Sequence, residues 1–217
     1  MNNSFFDPIL LALTLASLAL IPLLVVTGTS FLKISSVLLI LRSAIGVQQV
    51  PPNLVMYGIS FVLTLFVMNP TLNKISESLM SNGKLPANST ALIERAPNIA
   101  VPIKEFMGRY IKQDYQDNFF DTAKKFQVKY GGPPVDRSDL AVMLPAFVVS
   151  ELTAAFQLGL LVFLPFVIID LVVSCILMAL GMMMVSPQTL TLPLKIVLFV
   201  AIEGWSKTLQ GLVLSYL

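Results

Sequence analysis

Glu151 and Asp170 bracket 18 residues without a charge, and Asp170 and Lys195 bracket 24 more. Glu151 and Asp170 belong to one stretch, residues 144–188, that is otherwise apolar almost throughout. A membrane-crossing helix needs about 20 apolar residues, so each gap is close to one crossing. The stretch must therefore lie in lipid or inside a membrane-borne assembly, where its two carboxylates need a partner or a task. Pro165 interrupts it, and Gly181-Met182-Met183-Met184 followed by Ser186-Pro187 ends it. Three adjacent thioethers at a turn present soft, adaptable apolar surface. Residues 146–184 are too long for one straight span, so Pro165 either kinks the helix or turns the chain back on itself.

The totals agree. The chain is 56% hydrophobic and 12% charged, with a mean hydropathy of +0.82, whereas soluble domains carry roughly 25% charged residues. The expected class is an all-α, polytopic membrane protein. The single cysteine, Cys175, excludes an intramolecular disulfide and reads as a small apolar filler. There is no histidine, which removes the usual general base and the commonest metal ligand. Gly131-Gly132-Pro133-Pro134 places prolines where a phosphate loop needs backbone N–H groups. No catalytic residue, cofactor, metal or nucleic-acid partner is expected.

Taken in order, Asp7 and Lys33 enclose 25 uncharged residues, enough for a first span. No basic residue precedes Lys33, so this run reads as retained rather than as a cleaved signal. Pro22 can kink it, and Thr27-Gly28-Thr29-Ser30 can end or bend it. Residues 31–45 continue as an apolar helix, with Lys33 and Arg42 as charges snorkelling to the headgroups. Residues 46–53 form a turn broken by Pro51-Pro52, with Gln48 and Gln49 as capping groups. Residues 54–70 form a second apolar helix closed by Asn69-Pro70. Residues 74–139 hold 18 of the 26 charged residues and read as two or three amphipathic helices in water. The last helix is expected from about Leu190 to Leu217, carrying Lys195, Glu203 and Lys207. Three parts follow: an apolar hairpin over 1–73, a charged soluble segment over 74–143, and apolar helices with the methionine turn over 144–217. The short-loop charges Lys33 and Arg42 favour a cytoplasmic first turn. Four spans then put the charged segment and both ends outside and the methionine turn at the cytoplasmic side.

Six motifs occur together. They are Leu41-Arg42 with Gln48-Gln49-Val50-Pro51-Pro52-Asn53; Leu63-Thr64-Leu65-Phe66-Val67-Met68; Leu144-Pro145-Ala146-Phe147-Val148-Val149-Ser150-Glu151-Leu152; Phe163-Leu164-Pro165-Phe166 with Ile169-Asp170; Gly181-Met182-Met183-Met184; and Leu192-Pro193-Leu194-Lys195 with Gly204-Trp205. In that order they resemble the FliP/SctR family of export-gate proteins of flagellar and virulence type III secretion, with the virulence branch (YscR-like) the better match. The resemblance covers essentially the whole chain. It implies a non-enzymatic subunit of an inner-membrane pore for unfolded proteins. It also implies several copies, expected to be five, joined by SctS-type and SctT-type subunits and an SctU-type switch protein. Met182, Met183 and Met184 would then form the gasket that narrows the pore. The alternative is a small-solute or ion transporter using Asp170, Glu203 and Lys207 as buried charges of a proton relay; no internal repeat supports it.

Glu151 and Lys195 are expected to pair between neighbouring copies. An unpaired charge in an apolar run costs several kcal/mol. On a straight hairpin turning near Val185 the two lie about 50 Å and about 15 Å from the turn. Folding back at Pro165 would bring them level. The resemblance agrees, since both positions match an acid and a base that link adjacent subunits.

Overall fold

A computed structural model describes residues 22–47, 50–80, 89–182 and 184–217, with backbone only at 79 and 89–97. The sequence readings for residues 1–21, Gln48, Gln49, 81–88 and Met183 lie outside the described residues. All regular structure among the described residues is helical. The helices are α1 (Pro22–Gly28), α2 (Phe31–Ile45), α3 (Asn53–Leu79), α4 (Ser89–Tyr110), α5 (Gln113–Tyr130), α6 (Leu140–Ala179), α7 (Pro187–Ala201) and α8 (Gly204–Leu214). The chain is a membrane protein. α6 and the Asn53–Ser78 part of α3 are each long and apolar enough to cross a bilayer, and the bent pairs α1–α2 and α7–α8 raise the count to as many as four.

α6 is the axis of the fold and packs against α2, α4, α5 and α7. It runs unbroken for 40 residues, through Pro145 and Pro165. Pro165 therefore does not turn the chain back. Each proline removes one backbone hydrogen bond. In apolar surroundings, however, the other backbone groups have no partner except their own helix, so the helix continues past the defect. Pro70 is carried inside α3 in the same way, so the helix expected to close at Asn69-Pro70 runs on to Leu79.

Along α6, Met143, Phe147, Glu151, Ala155 and Gly159 recur every fourth residue, and all five are buried. This is one face of a helix, and its side chains shrink from Phe147 to Gly159. The small end lets α2 approach closely: Ile40 packs directly over Gly159. Lys33 of α2 meets Glu151, and Ala44 to Val47 share the lining of one cavity with Phe163. The two helices thus run parallel, in register over at least two turns. Fully buried Ile34, Leu38, Leu41, Met56, Met107 and Phe147 fill the junction of α2, α3, α4 and α6.

The amphipathic segment folds as two helices, α4 and α5. Gly131, at φ +75°, closes α5, a conformation glycine adopts without steric cost.

The last helix is not continuous. α7 and α8 meet at a bend of 62°, with Glu203 in the left-handed region at φ +54° and Gly204 against Phe199. A Cβ on Gly204 would overlap the Phe199 ring. That ring is itself held by Phe166 (centroids 6.2 Å apart) and by Trp205 (5.4 Å), so it has little room to yield. Gly204→Ala is expected to destabilise by about 1–3 kcal/mol through overpacking. The ordinary effect of alanine in a helix is a gain of up to about 1 kcal/mol. The sign of the change in thermal midpoint therefore decides whether the corner is packed in this way.

Candidate functional site

Two ion pairs tie α6 to its neighbours. In the first, Lys33 Nζ lies 3.3 Å from Glu151 Oε1, and the two side chains are only 5% and 2% exposed. The Tyr216 hydroxyl donates to Glu151 Oε2. The Lys33 ammonium also sits 3.5 Å from the centre of the Tyr216 ring, a cation over a π face. Tyr110 completes the group: its hydroxyl donates to the Tyr216 carbonyl at 2.8 Å, and its ring meets that of Tyr216 edge-on at 4.9 Å. Burial, and then the Glu151 charge, push the Tyr216 phenol far above its ordinary range, so it remains a donor. One buried charge pair with a phenol donor and an aromatic wall satisfies each member, as a dry site requires.

The second pair joins Lys195 of α7 to Asp170 of α6 at 2.6 Å. Lys195 Nζ also donates to the Ala44 carbonyl at 3.2 Å, at the C-terminal end of α2, where a cation is favourable. Lys195 is buried, while the Asp170 side chain keeps 44% of its surface exposed.

The expected Glu151–Lys195 contact is one between copies. Within the chain the two residues are not brought together, and each has another partner. The geometric reason is the unbroken α6. On a straight hairpin turning near Val185, Asp170 and Lys195 lie about 22 Å and about 15 Å from the turn, a difference a lysine side chain bridges. Of the three charges expected to be buried, Asp170 is half-buried, whereas Glu203 and Lys207 are exposed on the chain and form no ion pair among the described residues. Glu203 stands at the corner before α8 rather than inside the expected continuous last helix.

Sequence reasoning missed three residues. Lys33, read as a snorkelling charge, is a buried partner. Tyr110 and Tyr216 were not singled out. A buried carboxylate implied a donor somewhere, but nothing local pointed to residues 118 and 65 positions away. Arg42 faces the turn instead of only snorkelling: one guanidinium nitrogen donates to the Pro51 carbonyl (3.0 Å) and to Asn53 Oδ1 (2.7 Å).

The methionine turn projects from the end of the α6–α7 hairpin. Gly181 takes φ +72° and lets the chain reverse. Met182 is 43% exposed and Met184 is 99% exposed.

Comparison with known proteins gives the family. The FliP family model matches residues 14–212. The chain belongs to the FliP family. This FliP-family chain is 45% identical to the harpin secretion protein HrcR of Erwinia amylovora over the full length of both chains. It is 42% identical to Yop proteins translocation protein R of Yersinia pestis, covering 97% of each. It is also 42% identical to the flagellar biosynthetic protein FliP of Pectobacterium carotovorum subsp. carotovorum, over 93% of this chain and 76% of that one. Proteins of the FliP/SctR family are structural export proteins, not enzymes.

Proposed function

We propose that the chain is a core structural subunit of a type III secretion export gate, forming with copies of itself a pore in the bacterial inner membrane for unfolded proteins. Five copies, SctS-type and SctT-type subunits and an SctU-type switch protein complete the assembly in this reading, and residues 74–143 face the periplasm. Full-length similarity to secretion proteins named for harpin and Yop export supports it. The observation that carries the pore reading is the methionine turn. Met182 and Met184 stand out from a hairpin tip, where a monomer gains nothing by exposing them. Repeated around a ring, such side chains would seal against ions by dewetting and still yield to any passing side chain.

The triple replacement Met182→Ala, Met183→Ala and Met184→Ala tests this. Shorter side chains widen the constriction, so cells carrying the variant in an otherwise intact secretion system are expected to leak small solutes that the wild type retains. A triple variant that assembles and leaks no more than wild type removes the gasket.

A further inference from the structure

The α6–α7 hairpin that carries the methionine turn has a proline inside each leg, Pro165 in α6 and Pro193 in α7. Neither can donate to the carbonyl four residues before it, so each leg lacks one backbone hydrogen bond. Helices bend at defects of this kind. The Asp170–Lys195 pair, closed at 2.6 Å, spans the two weak points. Asp170 follows Pro165 and belongs to the part that leads into the turn. Lys195 follows Pro193 on the way back and belongs to the core, where it also bonds the Ala44 carbonyl. Rotation of the turn-bearing part about the two prolines therefore separates Asp170 from Lys195.

There is room for that rotation on one side. A cavity of about 410 Å³ is lined by the end of α2, the start of α7 and Phe163. Gln188, Thr191 and Leu192, all before Pro193, form its movable wall; Arg42 to Val47 and Phe163 form the fixed one. The two ends of the ion pair also differ. Lys195 is buried and keeps its bond to Ala44 when the pair opens. Asp170 is 44% exposed, so water can take the place of the ammonium. A pair with one exposed partner opens at modest cost, unlike the dry Lys33–Glu151 pair.

We propose that Asp170 and Lys195 form a latch across a proline hinge, and that its release swings the methionine turn into this cavity and opens the constriction. The inference deepens the export-gate reading and rests on its gasket. It assigns the regulation of that gasket to a joint some 15–22 Å from the turn, by the rise of a helix.

Spin labels at Ser43 on α2 and Met178 on α6, both exposed, report the hinge angle in the purified full-length protein. Cys175→Ser removes the native thiol, and dilution with unlabelled copies confines each distance to one chain. Wild type is expected to give one distance. Asp170→Asn removes the latch charge and is expected to add a second. Pro165→Ala with Pro193→Ala restores two backbone hydrogen bonds. Added to Asp170→Asn, this replacement is expected to shrink the second population by about tenfold or more, since each bond is worth up to about tenfold in an equilibrium. On its own it is expected to raise the thermal midpoint, because alanine suits a helix interior better than proline, and yet to lower secretion. A purely structural role for the prolines raises the midpoint and leaves secretion unchanged. A single distance in Asp170→Asn, a second distance that survives the proline replacement, or full secretion by the stiffened variant overturns the proposal. So does a midpoint that falls, which would make the prolines part of the packing. Leak in the methionine variant tests the gasket separately, and the distances decide the hinge whichever way that leak falls.

Discussion

Glu151→Lys is expected to abolish assembly of the protein, and adding Lys33→Glu is expected to restore part of it. The single change puts two ammonium groups into a site whose native side chains are 5% and 2% exposed. Breaking a buried ion pair by altering one partner costs roughly 3–5 kcal/mol, because the other charge is left without compensation. That is a large share of the 5–15 kcal/mol typical of a folded domain. The reversed pair recovers the charge balance but not the surroundings. A carboxylate at position 33 would face the Tyr216 ring, whose face is electron-rich, where the native ammonium sits at 3.5 Å. Rescue is therefore partial. Combining Glu151→Lys with Lys195→Glu gives the contrast: a pair within the chain predicts no rescue there, whereas a pair between copies predicts rescue by that partner and none by Lys33→Glu. The readouts are the amount of complex in membranes and the secretion it supports, and the double-mutant comparison isolates the coupling. If Lys33→Glu rescues nothing while Lys195→Glu does, Glu151 serves the neighbouring copy.

Gly159→Leu is expected to separate α2 from α6. A Cβ at Gly159 would lie 2.6 Å from Ile40 Cδ1 and 3.1 Å and 3.3 Å from its Cγ2 and Cβ. The terminal methyl can rotate away, but the stem of Ile40 is fixed to the α2 backbone, so a full leucine forces the helices apart. Overpacking of a well-filled contact typically costs about 1–3 kcal/mol. Here the damage spreads, because the Lys33–Glu151 pair lies only about 12 Å along the same seam. The thermal midpoint in detergent should fall sharply, and Ile40→Ala in the same chain should recover much of it by making room. A leucine at 159 that leaves the midpoint unchanged would mean the helices do not meet at this point.

Much of the architecture is legible in the residues because it depends on local chemistry. The bend of 77° between α1 and α2 falls at Thr29-Ser30, inside the Thr27–Ser30 stretch read as an end or a bend. The amphipathic spacing of Ile103, Phe106, Met107 and Tyr110 becomes the face of α4 that meets the core. Two prolines, Pro70 and Pro165, mislead in the same way, whereas Pro51-Pro52 lie in the turn expected of them. Pro70 reads as a stop and Pro165 as a kink or a reversal, since proline breaks helices in water, yet here the apolar setting removes the alternative partners that would let the helix end. The corner at Glu203 leaves a faint mark, a glycine beside an aromatic pair. The ion-pair partners differ in legibility. Asp170 and Lys195 fall nearly level on a straight hairpin and follow from arithmetic once α6 is known to be unbroken. Lys33 and Tyr216 reach Glu151 through the packing of three helices, and no spacing in the chain encodes that.

The two ion pairs also have a mechanical consequence. The start of α2 is held to α6 through Lys33 and Glu151, and its end is held through Lys195, which bonds both Ala44 and Asp170. On α6 these anchor points are about 28 Å apart. α2 is thus a beam clamped at both ends, and sliding it by one residue would break both clamps at once. Among the described residues no further ion pair holds the hairpin beyond Asp170, which overhangs like a cantilever with Met184 at its tip. A load applied at that tip is expected to bend the overhang as far as Asp170 before it moves the clamped body.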